Sequence, residues 1–464
     1  MIEKDIAQFQ QIVTQLLTAE KEEPVVPPIK AEEVFNQLDL KLETEPLDDD
    51  QFYQSLKEII FNTPRTATNQ FFNQLFGGRR SKAVLGDLVA VMLNNSMYTY
   101  KVAGPIVGVE KAIIKEICSM IGYGDHSDGT FASGGSMSNL MAMVMARDAA
   151  YESMTDTGVE RKMTLYTSEE SHYSIPKNAS LIGIGKNQVR YIQADDFGIM
   201  KVEALEKQIE EDIQNGFLPF MVNATAGTTV LGAFDKVGPI SDICKKHALW
   251  LHVDGAYCGA VVFSKKYKYL LKGLEEADSF SVNAHKMLGT PLTCSILVAK
   301  DEKYLHDSFS YDADYLYQTD NDDFNLGKIS LQCGRRNDAL KFWTLWKSIG
   351  TNGLEKLIDH QFFLADIARN YIQSNEDYTL YSFDNSISVC FNYKGISPQK
   401  LCTLLYKEAK LMVGFGSFQG VDFVRLITIN SDNSEKEILN FFTILEDFVA
   451  EHQEELLDSA LIES

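Results

Sequence analysis

The fold of this chain is constrained most by an alternation of short apolar runs and helical patterns between residues 70 and 347. Six of the runs have the length and composition of buried strands: residues 163–168, 189–194, 220–225, 249–254, 279–284 and 295–299. Between them, residues 202–216 and 237–247 show the period of amphipathic helices, and Gly216 closes the first of these. Strands that alternate with helices predict an α/β domain with a mostly parallel sheet covered on both faces.

Two further regions flank this alternation. At the N-terminus, Ile2–Ala19 fits an amphipathic helix, and a proline-rich segment that breaks helices follows it. Toward the C-terminus, a long helical pattern over residues 338–350 precedes residues 386–393 and 422–430, which are typical of strands between helices. The predicted organisation is an N-terminal arm over residues 1–69, a large domain over residues 70–347 and a small α+β domain over residues 348–464.

The composition excludes several classes of function. The 464 residues carry a net charge of −22, which opposes the binding of nucleic acids and of anionic membranes. No apolar stretch is long enough for a transmembrane helix, and the acidic N-terminus lacks the residue order of a signal peptide. The seven cysteines are scattered and form no CxxC pair, so we predict no metal site. We expect a cytoplasmic protein with reduced cysteines.

Two of the predicted strands end in charged residues that suit one flat heterocycle. The run 249–254 ends in Asp254, and the run 279–284 leads into His285 and Lys286. Ligands of parallel sheets bind at the carboxyl ends of the strands. A lysine forms a Schiff base with an aldehyde, and a carboxylate keeps a pyridine nitrogen protonated, so this pair fits pyridoxal 5′-phosphate (PLP). Taken singly, Lys286 also fits a surface lysine and Asp254 a helix N-cap.

The segment 130–147 has the features of a phosphate cradle. Two adjacent glycines, the second of which is Gly135, let the backbone approach a ligand closely, and a helical pattern follows them. The first N–H groups of that helix, on Gly135, Ser136 and Met137, are expected to bind the phosphate. An ordinary tight turn is the alternative interpretation.

Two small residues complete the candidate cofactor site. Ala256 follows the strand that ends in Asp254 and is small enough to lie beneath a flat ring. Thr229 follows the strand 220–225 and is a candidate for a hydrogen bond to the cofactor, although Thr and Gly are also common in plain turns.

Eight motifs that occur in order from about Gln51 to Arg425 resemble the group II PLP-dependent amino acid decarboxylases, in particular the branch of glutamate decarboxylase and cysteine sulfinate decarboxylase. These motifs are FFNQLF, NNSMYTYKVAGP, FASGGSMSN, TSEESHYS, GFLPFMVNATAGTTVLGAFD, ICKKHALWLHVDGAY, NAHKMLGTPLTCS and LQCGRRNDALKFW. The resemblance implies the aspartate aminotransferase-type fold (fold type I), an obligate homodimer and active sites at the subunit interface.

The resemblance also implies roles for individual cofactor residues. Lys286 would form the Schiff base with PLP, and Asp254 would contact the pyridine nitrogen. His172, in the motif SEESHYS, would stack on the ring and take part in catalysis, and His285 would contact the cofactor. A lone histidine is otherwise more often an ordinary core residue.

Four residues match substrate-binding positions of the family. Gln74 in FFNQLF and Arg425 in FVRLITIN would clamp the distal carboxylate of an acidic substrate, for which the planar guanidinium is suited. Ser96 and Tyr98 in NSMYTY would line the substrate pocket. The alternatives are a polar helix residue for Gln74 and a surface charge at a strand end for Arg425.

The activity implied is α-decarboxylation of a small acidic L-amino acid (cysteine sulfinate, aspartate or glutamate) to the amine and CO₂. The family carries a protonating tyrosine in a loop before LQCGR, and here Phe324 or Asp323 falls near its place, with Tyr315 and Tyr317 upstream. Phenylalanine cannot donate a proton. Decarboxylation-dependent transamination to an aldehyde is therefore an alternative; aminotransfer, C–S lysis and an inactive PLP-binding protein are others.

Three milder departures from the family lie near these motifs. Ala284 stands where proline is common, Gly255 where alanine is common and Lys101 where glutamate is frequent.

Overall fold

The computed structural model describes residues 2–151, 154–311, 317 and 322–457. The chain divides into two compact units. The first comprises Met1–Gly78, Phe363–Ser382 and Ile387–Ser464, and the second comprises Arg79–Phe362 and Phe383–Ser386.

The α-helices of the described residues are α1 (Ile2–Glu22), α2 (Val34–Gln37), α3 (Asp49–Phe61), α4 (Ser81–Leu93), α5 (Tyr100–Ala103), α6 (Ile106–Ile121), α7 (Gly135–Ala149), α8 (Met154–Thr157), α9 (Ser174–Leu181), α10 (Val202–Gln214), α11 (Val237–His247), α12 (Lys303–Phe309), α13 (Ala339–Gln373), α14 (Pro398–Lys407), α15 (Glu435–Glu451) and α16 (Gln453–Leu457). The strands are β1 (Phe71–Phe72), β2 (Asp128–Ala132), β3 (Met163–Ser168), β4 (Val189–Ile192), β5 (Leu218–Thr225), β6 (Trp250–Gly255), β7 (Ser279–Asn283), β8 (Ser295–Ala299), β9 (Tyr378–Leu380), β10 (Ser388–Tyr393), β11 (Met412–Phe418) and β12 (Val421–Ile427).

The second unit contains, within the described residues, a sheet of seven strands in the order β2-β8-β7-β6-β5-β3-β4. The strands from β4 to β7 pair in parallel, and β8 lies antiparallel between β7 and β2. The prediction of a mostly parallel sheet is therefore confirmed. β3, β8 and α11 have the predicted bounds, and the ends of the other predicted strands in this sheet differ by one or two residues.

Helix α7 packs directly on this sheet. Its residues Met141 and Met145 are buried in one apolar core with Leu165 of β3 and Phe220 of β5. All the residues of β3 and β6 are buried, as expected for parallel strands in the centre of an α/β sheet. The start of α7 is thereby held close to the carboxyl ends of the central strands.

The first unit is built on a second sheet, in the order β1-β11-β12-β10-β9 among the described residues. Phe71 and Phe72 of β1 pair in parallel with Met412 and Val413 of β11, while the other neighbours are antiparallel. The ring of Phe72 is buried 5.1 Å from that of Phe441. The N-terminal region therefore belongs to the same compact unit as the C-terminal residues.

The observed boundaries differ from the predicted bounds of the arm, the large domain and the small domain. The second unit begins at Arg79 rather than at residue 70 because the short strand β1 belongs to the sheet of the first unit. It extends to Phe362 rather than to residue 347 because α13 continues past a break at Gly350, where φ is 68° and ψ is 175°. Glycine adopts this positive φ without the steric cost of other residues.

In the part of the chain that the structure describes, no helix combines the length and the apolar character needed to cross a bilayer.

Candidate active site

Two rows of polar side chains cross the central strands of the seven-stranded sheet. One row consists of Asn223, His252 and Ser279, which are neighbours on β5, β6 and β7, and the other of Thr225, Asp254 and Ser281, two residues further along the same strands. Because side chains of a strand alternate between its faces, both rows face the same side of the sheet. Every member is buried. A buried polar side chain is costly unless it is hydrogen-bonded, so strands in the centre of a sheet usually carry apolar side chains. Two adjacent polar rows at this place therefore suggest a functional site.

A cavity of about 200 Å³ lies where the second row meets the start of α7. Eight residues predicted for the cofactor site line it: Gly135, Ser136, His172, Thr229, Asp254, Ala256, His285 and Lys286. The strand ends and the start of a helix are therefore brought together as the sequence patterns predict.

Lys286 lies in this cavity, with its amine 5.9 Å from the centre of the Tyr257 ring. Burial lowers the pKa of Lys286, and the charge of Asp254 opposes this effect. A lowered pKa increases the fraction of neutral amine, which is the form that attacks an aldehyde. The surroundings of Lys286 therefore suit a Schiff-base lysine.

Asp254 is held by hydrogen bonds to both of its carboxylate oxygens. Oδ1 accepts from the backbone N–H of Ala256 (3.0 Å) and Oδ2 accepts from Nδ2 of Asn139 (2.7 Å). The side chain is 5 % exposed and lines the cavity. An ionised carboxylate accepts about four hydrogen bonds, so Asp254 retains the capacity to bind a protonated pyridine nitrogen.

The two cavity histidines are held by backbone groups at Nδ1. His172 Nδ1 accepts from the backbone N–H of Ser174 (3.2 Å). His285 Nδ1 lies 2.9 Å from the backbone nitrogen and 3.1 Å from the carbonyl oxygen of Cys294. Burial is the main cause that lowers the pKa of His172, and it lowers that of His285 to about 4. Both rings are therefore expected to be neutral at neutral pH, and the ring of His172 then carries its proton on Nε2, from which it can be donated.

The start of α7, which is predicted to cradle the phosphate, lines the cavity with Gly135 and Ser136 but not with Met137. A Cβ atom on Gly135 would lie 2.9 Å from Ala256 Cβ and 3.1 Å from Asn283 Nδ2, so only glycine fits there. The N–H of Met137 donates to the carbonyl of Gly134 (2.9 Å) instead of facing the cavity. Asn283, which also lines the cavity, places an amide donor beside Gly135.

These residues fit PLP. The cavity combines a lysine with a lowered pKa, an ordered carboxylate, and a helix start that leaves no room for a side chain at Gly135. When bound, PLP supplies an electron sink for the bonding electrons released at the substrate Cα.

Gly255 is explained by its neighbours. A Cβ atom at this position would lie 2.5 Å from the Phe280 ring and 2.6 Å from the carbonyl oxygen of Ser281. The alanine that is common in the family has no space here, because Phe280 fills it.

The predicted substrate residues Gln74 and Arg425 belong to the first unit. Arg425 lies on β12, opposite Gly414 of β11 and Cys390 of β10, and its guanidinium donates to the carbonyl of Asn73 (3.4 Å). Gln74 is the next residue after Asn73 and is exposed. The two predicted residues are thus linked through the backbone of one short segment.

Ser96 and Tyr98 are held by backbone contacts in the second unit. Ser96 Oγ accepts from the N–H of Arg335 (3.2 Å), and the carbonyl of Tyr98 accepts from the N–H of Gly327 (2.8 Å). Among the described residues that line the 200 Å³ cavity, neither is present. Their side chains remain predicted substrate contacts.

Phe324 is packed rather than free at a loop tip. Its ring meets the Tyr100 ring edge-on at 5.5 Å, and the Lys111 amine lies 5.9 Å from its centre. Tyr317 contacts the same region, because a Cβ atom on Gly327 would lie 2.8 Å from the Tyr317 hydroxyl. Tyr315 lies outside the described residues.

The sequence analysis did not identify Asn139 and Asn283 as site residues. It also missed the buried polar row formed by Asn223, His252 and Ser279. The signal was present as three pairs of polar residues at spacing two on successive predicted strands: Asn223 and Thr225, His252 and Asp254, and Ser279 and Ser281.

Comparisons with known proteins identify the family of this chain. The model of the pyridoxal-dependent decarboxylase conserved domain matches residues 31–394. Human cysteine sulfinic acid decarboxylase is 38 % identical over 425 residues, with 86 % of each chain covered. Mouse acidic amino acid decarboxylase GADL1 is 35 % identical, with 88 % of this chain and 78 % of the relative covered.

A solved structure extends the agreement to the fold. The crystal structure of mouse CSAD superposes with a TM-score of 0.89 at 33 % identity and covers 96 % of this chain and 98 % of that one. The predicted fold type I architecture and the PLP cofactor are thereby confirmed. The chain is a carboxy-lyase that belongs to the pyridoxal-dependent decarboxylase family.

Proposed function

We propose that this enzyme α-decarboxylates a small acidic L-amino acid, with cysteine sulfinate, aspartate and glutamate as candidates, to the amine and CO₂. The observation that carries the proposal is the similarity over most of the chain to cysteine sulfinic acid decarboxylase and to an acidic amino acid decarboxylase. Arg425 supports it, because a guanidinium on the central part of a sheet is suited to hold a distal carboxylate.

The residues of the cavity have distinct roles in this proposal. Lys286 would hold the cofactor through its amine, whose lowered pKa favours the neutral, nucleophilic form. Asp254 would keep the pyridine nitrogen protonated, and His172 would stack on the ring, with an Nε2–H that is not used by the backbone contact at Nδ1. Gly135, Ser136, Asn283 and Thr229 hold the phosphate and ring. The protein would thus orient the cofactor and place charged groups beside it.

A panel of amino acids tests the substrate class. Purified enzyme with PLP is mixed with cysteine sulfinate, aspartate, glutamate and their neutral analogues serine, asparagine and glutamine, and CO₂ and amine are quantified by mass spectrometry. Turnover of at least one acidic substrate well above its neutral analogue is expected. Equal turnover of acidic and neutral members, or preference for an aromatic amino acid, would contradict the proposal.

A homodimer is supported by helix α4. Six of its apolar side chains are exposed: Leu85, Leu88, Val89, Val91, Met92 and Leu93. A contiguous apolar surface of this kind marks an interaction site, here for a second copy of the chain. Light scattering is expected to give twice the monomer mass of 52.1 kDa, and Met92→Glu to lower it. A monomeric wild type would exclude the homodimer.

A cytoplasmic location is supported by the cysteines. None of the seven forms a disulfide within the described residues, and six of them are buried. Proteins of oxidising compartments usually pair their cysteines in disulfides. Fractionation of cells that contain the tagged protein should place it with cytoplasmic markers.

An aldehyde product is the second candidate function. Phe324 stands near the place of the protonating tyrosine, and its ring is packed against Tyr100. If no acid of the chain protonates the substrate Cα, the proton would be taken up by the cofactor instead, and hydrolysis by water would release an aldehyde and leave the substrate nitrogen on the cofactor as its amine form. The same mass spectra measure the ratio of aldehyde to amine.

A further inference from the structure

A chain of buried hydrogen bonds leads from Asp254 into the sheet, away from the cavity. Asn139 Nδ2 donates to Asp254 Oδ2 (2.7 Å), and His252 Nε2 lies 3.1 Å from Asn139 Oδ1. His252 Nδ1 lies 2.8 Å from Ser279 Oγ, to which Trp250 Nε1 donates over 2.9 Å. Asn139 is 1 % exposed, and His252 and Ser279 are fully buried, so water does not compete for these bonds.

The groups at the two ends of this series of hydrogen bonds determine which atom donates and which accepts in each bond. The indole N–H of Trp250 can only donate, so Ser279 Oγ accepts from it, and the hydroxyl proton of Ser279 is available for His252 Nδ1. The ionised carboxylate of Asp254 can only accept, so Asn139 directs its amide nitrogen to Asp254 and its amide oxygen to His252. His252 therefore carries its proton on Nε2 and donates it to Asn139.

The charge of His252 agrees with this polarity. Burial lowers the pKa of His252 to about 4, although Asp254 opposes the effect, and the ring is neutral at neutral pH. A neutral imidazole donates one hydrogen bond and accepts one, as its place in the chain requires. Hydrogen bonds in series polarise one another in a low-dielectric core, which strengthens the last bond to Asp254.

Asn139 also contacts the segment that carries His172, the residue predicted to stack on the cofactor ring. Its Nδ2 lies 3.1 Å from Ser174 Oγ, and the backbone N–H of Ser174 binds His172 Nδ1. The two N–H groups of Asn139 are thereby used, one toward Asp254 and one toward Ser174. Asn139 belongs to α7, the same helix whose start forms the phosphate cradle.

We propose that Asn139 is a positioning residue for the cofactor. Its amide orients the Asp254 carboxylate toward the pyridine nitrogen, and the chain through His252, Ser279 and Trp250 keeps that amide in the donating orientation. The assignment rests on the proposed function only through the shared cofactor, since the identity of the amino acid substrate does not enter it.

The test compares three near-isosteric variants. Asn139→Leu removes the amide, and Asn139→Asp keeps its shape but turns a donor into an acceptor that faces Asp254. The matched control is Asn223→Leu: Asn223 is equally buried in the row of His252, but its amide binds Thr167 (3.0 Å) and not the chain to Asp254. PLP retention is measured by diluting the holoenzyme without substrate and following cofactor absorption.

Positioning predicts a definite order of PLP affinity. Asn139→Leu should weaken PLP binding roughly 10- to 100-fold, as expected for the loss of a hydrogen bond to a charged group. Asn139→Asp should weaken it further, because it places two carboxylates against each other. Asn223→Leu should bind PLP within about threefold of the wild type, the usual range for a change without a charged partner.

Two outcomes would overturn the proposal. If Asn139→Asp binds PLP like the wild type while Asn139→Leu does not, Asn139 acts by packing alone. If Asn223→Leu loses as much as Asn139→Leu, the loss reports a general sensitivity of the buried row.

A change at His252 supplies the second line of evidence and does not touch Asp254 directly. His252→Phe should weaken PLP binding less than Asn139→Leu does, and His252→Gln should restore part of the loss because its amide can donate to Asn139. Equal binding by His252→Phe and the wild type would remove the outer part of the chain from the proposal. These readouts need no turnover, so failure of the proposed substrate class remains distinguishable.

Discussion

The guanidinium of Arg335 holds the carboxylate of Glu110 through two hydrogen bonds of 2.8 and 2.9 Å, and both side chains are buried. The same guanidinium donates to the carbonyl of Phe131 on β2, and the backbone of Arg335 binds Ser96 and Met97. One ion pair thus connects α6, the edge of the sheet and the segment predicted to line the substrate pocket.

Glu110→Gln should destabilise the fold strongly. Removal of one partner leaves the buried Arg335 charge without compensation, which typically costs about 3–5 kcal/mol. Urea unfolding at fixed protein concentration measures the change. Glu116→Gln, an exposed position on the same helix, is the control and should stay within about 0.5 kcal/mol of the wild type.

Lys286→Ala should abolish covalent attachment of the cofactor and nearly all turnover. Borohydride reduction of the wild-type holoenzyme followed by peptide mapping is expected to place the pyridoxyl group on Lys286. A label on Lys341, which is buried in contact with Asp87 and Asp338, would show that the assignment is wrong.

Arg425→Met should raise KM for an acidic substrate much more than for its neutral analogue. The distal carboxylate would lose its charged partner, a loss of several kcal/mol when the pair is desolvated. Steady-state kinetics with both substrates measure the difference. Equal effects on the two would assign Arg425 to the structure of the sheet.

The loop residues should differ in their effect on the product. Phe324 is packed against Tyr100, so we expect Phe324→Tyr to leave the ratio of amine to aldehyde nearly unchanged. Tyr317→Phe should increase the share of aldehyde, because it removes a hydroxyl that lies beside Gly327 and Tyr98. Mass spectrometry of both products decides; clean amine from Tyr317→Phe would exclude Tyr317 as the acid.

Stability should depend on pH through the buried histidines. His252 and His285 have folded pKa values of about 4, below the ordinary value of 6.5, so the unfolded chain binds more protons between these values. Stability therefore falls as the pH falls from about 6.5 toward 4, by about 1.4 kcal/mol per pH unit and histidine.

The contribution of Asp235 to the pH dependence must be separated from that of the histidines, so the wild type is compared with a His252 variant. Burial raises its pKa to about 6, so it contributes the opposite slope over part of the same range. The measured quantity is the difference between wild type and His252→Gln in urea unfolding at pH 7 and pH 5. The variant should lose less stability on acidification; identical losses would contradict the assignment of His252 as a neutral group.

Much of the fold followed from local sequence patterns. The strands β3 and β8 and the helix α11 could be bounded to the residue, because apolar runs and periodicity reflect local geometry. The meeting of Asp254 and Lys286 in one cavity was also predictable, since parallel strands place their carboxyl ends along one edge of a sheet.

Contacts between distant segments were decided only by the tertiary structure. The N-terminal residues join the C-terminal sheet because Phe71 and Phe72 pair with β11, which no local pattern reveals. Asn139 appears in the sequence as one polar residue of a helix, and its role depends on where α7 crosses the strand of Asp254. Gly255 likewise departs from the family because Phe280 of the neighbouring strand occupies the space of its side chain.

The sequence by itself therefore determined the class of fold, the cofactor and the residues at strand ends, because these depend on spacing along the chain. The tertiary structure decided the partners of those residues, the boundaries of the units and the packed position of Phe324. The physical reason is that hydrogen bonds and close packing join residues far apart in the sequence, and their geometry exists only once the sheets have formed.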